Sequence, residues 1–283
     1  MEINRITFGR IVSVLFDRGL GTALGIMSTG VGLSAVIGPR LMQHIIDSYS
    51  WRTAFIAEAL IVALGLPLLW LWLRNTKAIT EHRPAPHIGV TLQEAARSGV
   101  FWLLVIGTFG YGLCVSGVHV NMVPYLTSQG MTREAAATAV GIFGAATVVG
   151  RLLTGLIIDK GPLHASVLIA LMLAMEALAF VGLASLGIEA LVVILIVFGF
   201  AVGAEGDCLV YLVARFFGRR RFSSIFGVIG IVALYLGTGI GPALFSLTRD
   251  YAASNQTTLV IWAGLAVLSA LAFLATVRTP FRQ

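Results

Sequence analysis

Glu205 and Asp207 stand two residues apart inside 190–213, a stretch otherwise built almost wholly from Leu, Val, Ile, Phe, Ala and Gly. A carboxylate at the centre of a bilayer costs about 2.5–3.5 kcal/mol on insertion scales, so such a group faces a cavity or a partner. Two helical steps separate the pair by about 200° around the axis, so at most one borders a central path. The other must find a partner between helices. Desolvation favours the protonated form of a cavity-facing carboxyl, which makes it a candidate proton carrier. Arg215 follows Asp207 by eight residues, about 80° further round, and is a candidate partner for a gate at that helix end. A gate or packing role for the acidic pair is the competing reading.

Arg151 interrupts a second apolar stretch. A guanidinium there can hold a carboxylate through two parallel hydrogen bonds. Asp159 lies two turns beyond it, about 12 Å along the axis. The competing roles for Arg151 are therefore bracing that helix end through Asp159 or reaching the membrane surface with its long side chain. A third set lies in GYGLCVSGVHVNMVPYL, where Gly110, Gly112, Gly117 and Pro124 break an apolar run and polar side chains appear. Tyr111 and Asn121 can hydrogen-bond a solute, and His119 can titrate near neutral pH. A hydrated histidine near the membrane surface is the plainer reading of His119.

The elements that must position these residues follow from composition. The 283-residue chain is 58% hydrophobic and only 11% charged, with a mean hydropathy of +0.93. Soluble domains carry about 25% charged residues, so this is an all-α, polytopic membrane chain. Helices of about 20 apolar residues cross a bilayer. The hydropathy predicts eight: 20–46, 52–73, 100–125, 135–158, 165–186, 190–213, 223–247 and 258–277. Residues 6–16 are too short to cross and read as the tail of a further helix. No cleavable leader is expected in the first residues. Cys114 and Cys208 both sit in apolar runs, where no disulfide framework is expected.

Charge sets the expected orientation. Of the 19 Lys and Arg, Arg151 is inside a span and Arg40, Arg52, Arg133 and Arg249 fall on one side, leaving 14 on the other. The positive-inside rule makes that richer side cytoplasmic, with both termini and the loop around residues 75–99. Arg219, Arg220 and Arg221 then read as a topology signal and not as a nucleic-acid patch, since no stacking aromatics interleave with exposed cations. No metal-ligand cluster, phosphate loop or Ser/His/Asp set is present in the sequence, so neither a metal or other cofactor nor an enzyme activity is expected.

The first and seventh predicted spans share a pattern at one offset. Arg18 matches Arg221, a shift of 203, and the same shift aligns Ile37-Gly38-Pro39 with Ile240-Gly241-Pro242 and Asp47 with Asp250. In parallel repeats of six helices, the first span would be the fifth of its half. The expectation is that four helices of the full plan lie before residue 1.

In this order and spacing the motifs resemble the major facilitator superfamily, specifically its monocarboxylate and oxalate–formate type members. RGLGTALGIMSTGVGLSAVIGPRLMQHIID is similar to the family's helix 5, SWRTAF to the opening of helix 6, and GRLLTGLIIDKG (with Gly150, Gly155 and Asp159) to the second Gly/Asp signature. ARFFG and GIGPALFSLTRDY, with Gly241 and Pro242, resemble the helix 10–11 region. The resemblance implies helices 5–12 of a twelve-helix fold. Residues 1–74 would be the remnant of a first bundle, 75–99 a linker, and 100–283 a complete six-helix second bundle. It implies a secondary transporter in the cell membrane, moving a small solute by alternating access. A small organic anion such as a monocarboxylate is the expected solute, with a proton as the candidate coupling ion. Arg151 would bind the anion, with Tyr111, His119 and Asn121 lining the path. The other open reading is a fragment that inserts into membranes and does not transport.

Overall fold

In the computed structural model, the described residues are 30, 37–38, 41–42, 44–75, 89–160, 164–218, 220–252 and 254–279. They are helical almost throughout. The long elements are α1 (Trp51–Asn75), α3 (Gly99–Ser128), α4 (Arg133–Lys160), α5 (Ala165–Leu186), α6 (Leu191–Phe217), α7 (Phe222–Tyr251) and α8 (Asn255–Ala275), with a single-turn helix α2 (Leu92–Ala96) before α3. Six of them, α3 to α8, are long and apolar enough among the described residues to cross a membrane. The expected eight spans are therefore shown only in part. The predicted 20–46 span lies mostly outside the described residues, and 52–73 forms α1, nearly all of whose described side chains are exposed.

Local chemistry sets the helix ends. Ser98 and Ser254 cap α3 and α8 by accepting from the N–H groups of Phe101 and Thr257, at 3.3 and 3.1 Å. Such caps satisfy donors that have no partner inside the helix. Thr91 and Glu94 form a reciprocal capping box on α2. Beside this cap, Gly218 ends α6 with φ +74°, and Gly89 (φ +146°) pairs with it across an isolated antiparallel bridge. Val90 N–H donates to the Phe217 carbonyl at 3.0 Å. The segment leading into α2 is thus fastened to the α6–α7 turn. A Cβ on Gly89 would lie 2.8 Å from the Phe217 oxygen, so a side chain is excluded there on both steric and conformational grounds.

Lipid offers no hydrophobic drive between helices, so the bundle is held by close backbone approach at small residues. Gly199 and Gly203 of α6, four apart, press against the carbonyls of Phe143 and Thr147 in α4. Gly150 of α4 presses in turn on the Phe200 carbonyl. Contacts advance together along both chains, so α4 and α6 run parallel. Gly237 and Gly241 of α7 meet α3 in the same way, against Phe109 and Leu113. Two buried apolar clusters occupy the bundle's halves: one gathers Leu113, Phe180, Phe198 and Trp262, the other Leu104, Leu173, Leu212 and Phe273. The outward faces carry Leu178, Val193 and Leu268, all exposed, as a lipid-facing surface requires.

Within α7, residues Ile229–Tyr235 form a π-helical stretch between α-helical segments. Such a stretch accommodates roughly one extra residue and is frequent at functional sites.

A buried polar stripe between α4 and α6

Arg151 sits on α4 and is 9% exposed. Phe143, Thr147, Gly150, Arg151 and Thr154 recur at helical spacing on the α4 face that meets α6. Thr147 donates to the Phe143 carbonyl at 2.9 Å. Thr154 is fully buried, and its Oγ1 has no hydrogen-bond partner. Opposite them, Gly203 approaches so closely that a Cβ there would lie 3.1 Å from the Arg151 nitrogen. A run of polar side chains within a helix of membrane-spanning length and composition therefore lies along a seam made narrow by glycine. Arg151 does not turn toward lipid.

Glu205 and Asp207 lie in the α6 helix, and their side chains are outside the described set. Helical register still separates the two positions. Position 207 is four residues beyond Gly203, on the stripe that runs along α4. Position 205 is seven beyond Phe198 and seven before Leu212, on the opposite stripe that runs along α5.

The remaining predicted residues are dispersed. Tyr111 of α3 reaches across to α6, its hydroxyl 3.5 Å from the Val202 carbonyl. His119 is exposed and its ring packs 4.8 Å from that of Phe143. The Asn121 amide donates to the Gly117 carbonyl at 2.8 Å and to the Pro242 carbonyl at 3.3 Å, tying α3 to α7. Arg215 is exposed and donates from Nε to the Tyr211 hydroxyl at 3.1 Å, one turn back on its own helix. Gly155 is buried in α4, Gly38 is in a described helical patch, and Pro39 and the Asp159 side chain lie outside the described residues. The structure thus brings together Arg151, the α6 glycines and backbone position 207, sets His119 against Phe143 of the same α4 face, and places Asn121 between α3 and α7.

Two cavities are resolved away from this seam. One of about 60 Å³ lies beneath α2, between Val90, Ala95 and Phe217. The other, about 480 Å³ and open, lies between Thr132, Thr138 and Leu191 at the opposite end. Neither is lined by a predicted site residue. Among the described residues there is no group of His, Cys, Asp or Glu able to hold a metal.

The candidate residues read from the sequence did not include Glu176. It is 1% exposed in the middle of α5. Its Oε1 has no hydrogen-bond partner. The signal was present in the sequence, since it is the one ionisable residue of α5.

Comparison with known proteins agrees with this architecture. The chain is 23% identical to the MFS transporter asaE of Aspergillus flavus over 276 residues, covering 94% of this chain and 60% of that protein. It is 26% identical to a gallate transporter of Pseudomonas putida, covering 84% and 63%. It is 25% identical to monocarboxylate transporter 13 of Bos taurus, covering 94% and 62%. The chain thus spans about three-fifths of the length of these relatives. A crystal structure of the Escherichia coli fucose:proton symporter FucP superposes with a TM-score of 0.73 at 16% identity, covering 96% of this chain and 73% of that one, which establishes the shared fold. The family model of the Major Facilitator Superfamily matches residues 5–242, and the chain belongs to that family.

Proposed function

We propose that this chain works as a secondary transporter of a small organic anion, with Arg151 taking the solute's carboxylate. The observation that carries the reading is the burial of a guanidinium, 9% exposed, inside a polar stripe at hydrocarbon depth. Cations at that depth mark solute or ion pathways more often than scaffolding. The family supports transport, and relatives named for gallate and monocarboxylate transport support a carboxylate solute. In this reading the α4–α6 seam is one wall of the path, and Tyr111 and His119 mark the neighbouring α3 surface, which Asn121 ties to α7. Asp207 and Glu205 are the candidates for proton coupling, and Arg215 stands at the gate end of α6. The richer cationic side is cytoplasmic, and the site is the cell membrane.

The experiment is uptake of gallate and of short monocarboxylates into proteoliposomes holding the purified chain, with and without an inward proton gradient. Arg151→Gln should abolish uptake while leaving insertion intact, and Arg151→Lys should restore only part of it, because Lys lacks the two-pronged fork. Uptake unchanged in R151Q removes Arg151 from the solute path.

A further inference from the structure

We propose that Glu176 is a proton-binding site built into the bundle on the side of α6 remote from the α4 seam. It goes beyond the transport reading, since it concerns a carboxyl that the solute path does not use.

The geometry is specific. Glu176 lies eleven residues into the 22-residue α5, so about 16 Å of helix precedes it. It falls where the two apolar clusters meet, between Leu173 of one and Ala177 of the other. It is 1% exposed, and Oε1 meets no donor. Burying an ionised carboxylate without a paired cation or hydrogen bonds costs many kcal/mol, and such a group takes up a proton instead.

The elements packed against α5 are α6, α8 and the turn Thr276–Arg278. From Asn255 to Ala275, α8 carries no ionisable side chain. The final turn contributes Arg278, but that turn meets α5 at Ser166, ten residues from Glu176 and about 15 Å along the axis. On α6 the ionisable residues are Glu205, Asp207, Cys208, Tyr211 and Arg215. Tyr211 and Arg215 bond each other, and Cys208 is buried. Phe180 packs on Phe198 and His164 on Phe216, so α5 and α6 run antiparallel. Position 205 then falls within about one helical turn of the level of Glu176. Among the described side chains of α6 and α8, no cation stands at the level of Glu176.

Closed packing of α5 on α6 and α8 therefore holds the proton, and any motion that wets this interface releases it. The neutral acid is the form that the fold selects.

The test is modification of the full 283-residue chain with a membrane-soluble carbodiimide, which reacts with a protonated carboxyl in apolar surroundings. The acid's O–H proton moves to the carbodiimide nitrogen as its oxygen attacks the central carbon, and the adduct rearranges to a stable N-acylurea. Peptide mapping should place the label on Glu176 and not on exposed Glu58, Glu134 or Glu189. Labelling should decline with rising pH and vanish in Glu176→Gln, while Glu205→Gln leaves it in place. Absence of label at mildly acidic pH, or label unaffected by E176Q, overturns the proposal. As an independent check, infrared spectra should show a protonated-acid carbonyl band that E176Q diminishes; a band of equal intensity in both chains, or absent from both, counts against it. Neither readout depends on transport, so its failure is separable from failure of the transport reading.

Discussion

Gly112 of α3 and Gly237 of α7 meet backbone to backbone: a Cβ on Gly237 would lie 3.2 Å from the Gly112 Cα, 2.5 Å from the Phe109 oxygen and 3.1 Å from the Leu113 nitrogen. None of these neighbours is the flexible end of a side chain. Gly237→Ala should therefore force α3 and α7 apart and destabilise the bundle by about 1–3 kcal/mol. Gly239, two residues on, has nothing within 4 Å of the same construction. Gly239→Ala should be neutral or slightly stabilising, because alanine is the better helix former. Thermal unfolding in detergent compares the two; equal effects would mean that close approach is not what Gly237 provides.

His164 caps α5, its Nδ1 accepting from the Ser166 N–H at 3.3 Å, and its ring lies 6.3 Å from that of Phe216. Burial holds the imidazole below its ordinary value of 6.5. The unfolded chain therefore takes up a proton at higher pH than the fold does. The contribution to stability is complete above the unfolded value and is lost as pH falls through the lower folded one. Protonation also removes the Nδ1 acceptor and with it the cap. His164→Asn keeps a capping oxygen without a titration, so it should flatten the loss of melting temperature on acidification. A variant with the same acid slope as the parent would remove His164 from this role.

Most of the fold was legible because a bilayer imposes simple rules. The apolar runs at 165–186 and 190–213 became α5 and α6 with ends within a few residues, since hydropathy and length decide a membrane helix. The glycines of GRLLTG and GIGP were legible as motifs, and the structure supplies their reason: Gly150 and Gly241 lie against neighbouring backbone. Side-chain roles were harder to read. Asn121 looked like a solute ligand because it is polar at depth, yet both described bonds of its amide go to carbonyls of α3 and α7. A sequence shows that a polar group must find a partner without showing which helix provides it. The π stretch in α7 left no pattern either, since one extra residue in a helix that is apolar on most sides does not disturb the hydropathy.

That stretch, Ile229–Tyr235, sits between segments that pack well on either side: Ile225 and Phe226 before it are buried, as are Gly237 and Gly241 after it. A π-bulge behaves as a single-residue insertion. Deleting Val232 should convert the stretch to α-helix while both flanks keep their faces, so the chain should still fold and insert. Deleting Leu247, outside the stretch, should shift the following residues by about 100° and cost far more stability. If the bulge serves transport, the first deletion should abolish uptake in a stable protein. Equal instability of the two deletions would show that the π geometry is not a removable insertion.

Asn121 separates a structural role from a solute-binding one by a single comparison. Its amide donates at 2.8 Å to Gly117 and at 3.3 Å to Pro242, so it holds α7 to α3 beside a proline inside α7. Asn121→Ala removes both bonds and should cost about 1–2 kcal/mol in stability. Asn121→Asp places a carboxylate against two carbonyl oxygens and should cost more, because every group in the contact is then an acceptor. A residue whose amide is committed in this way should leave the KM for solute nearly unchanged in N121A whenever folded protein is recovered. A KM raised tenfold or more with unaltered melting temperature would reverse the assignment and return Asn121 to the solute path.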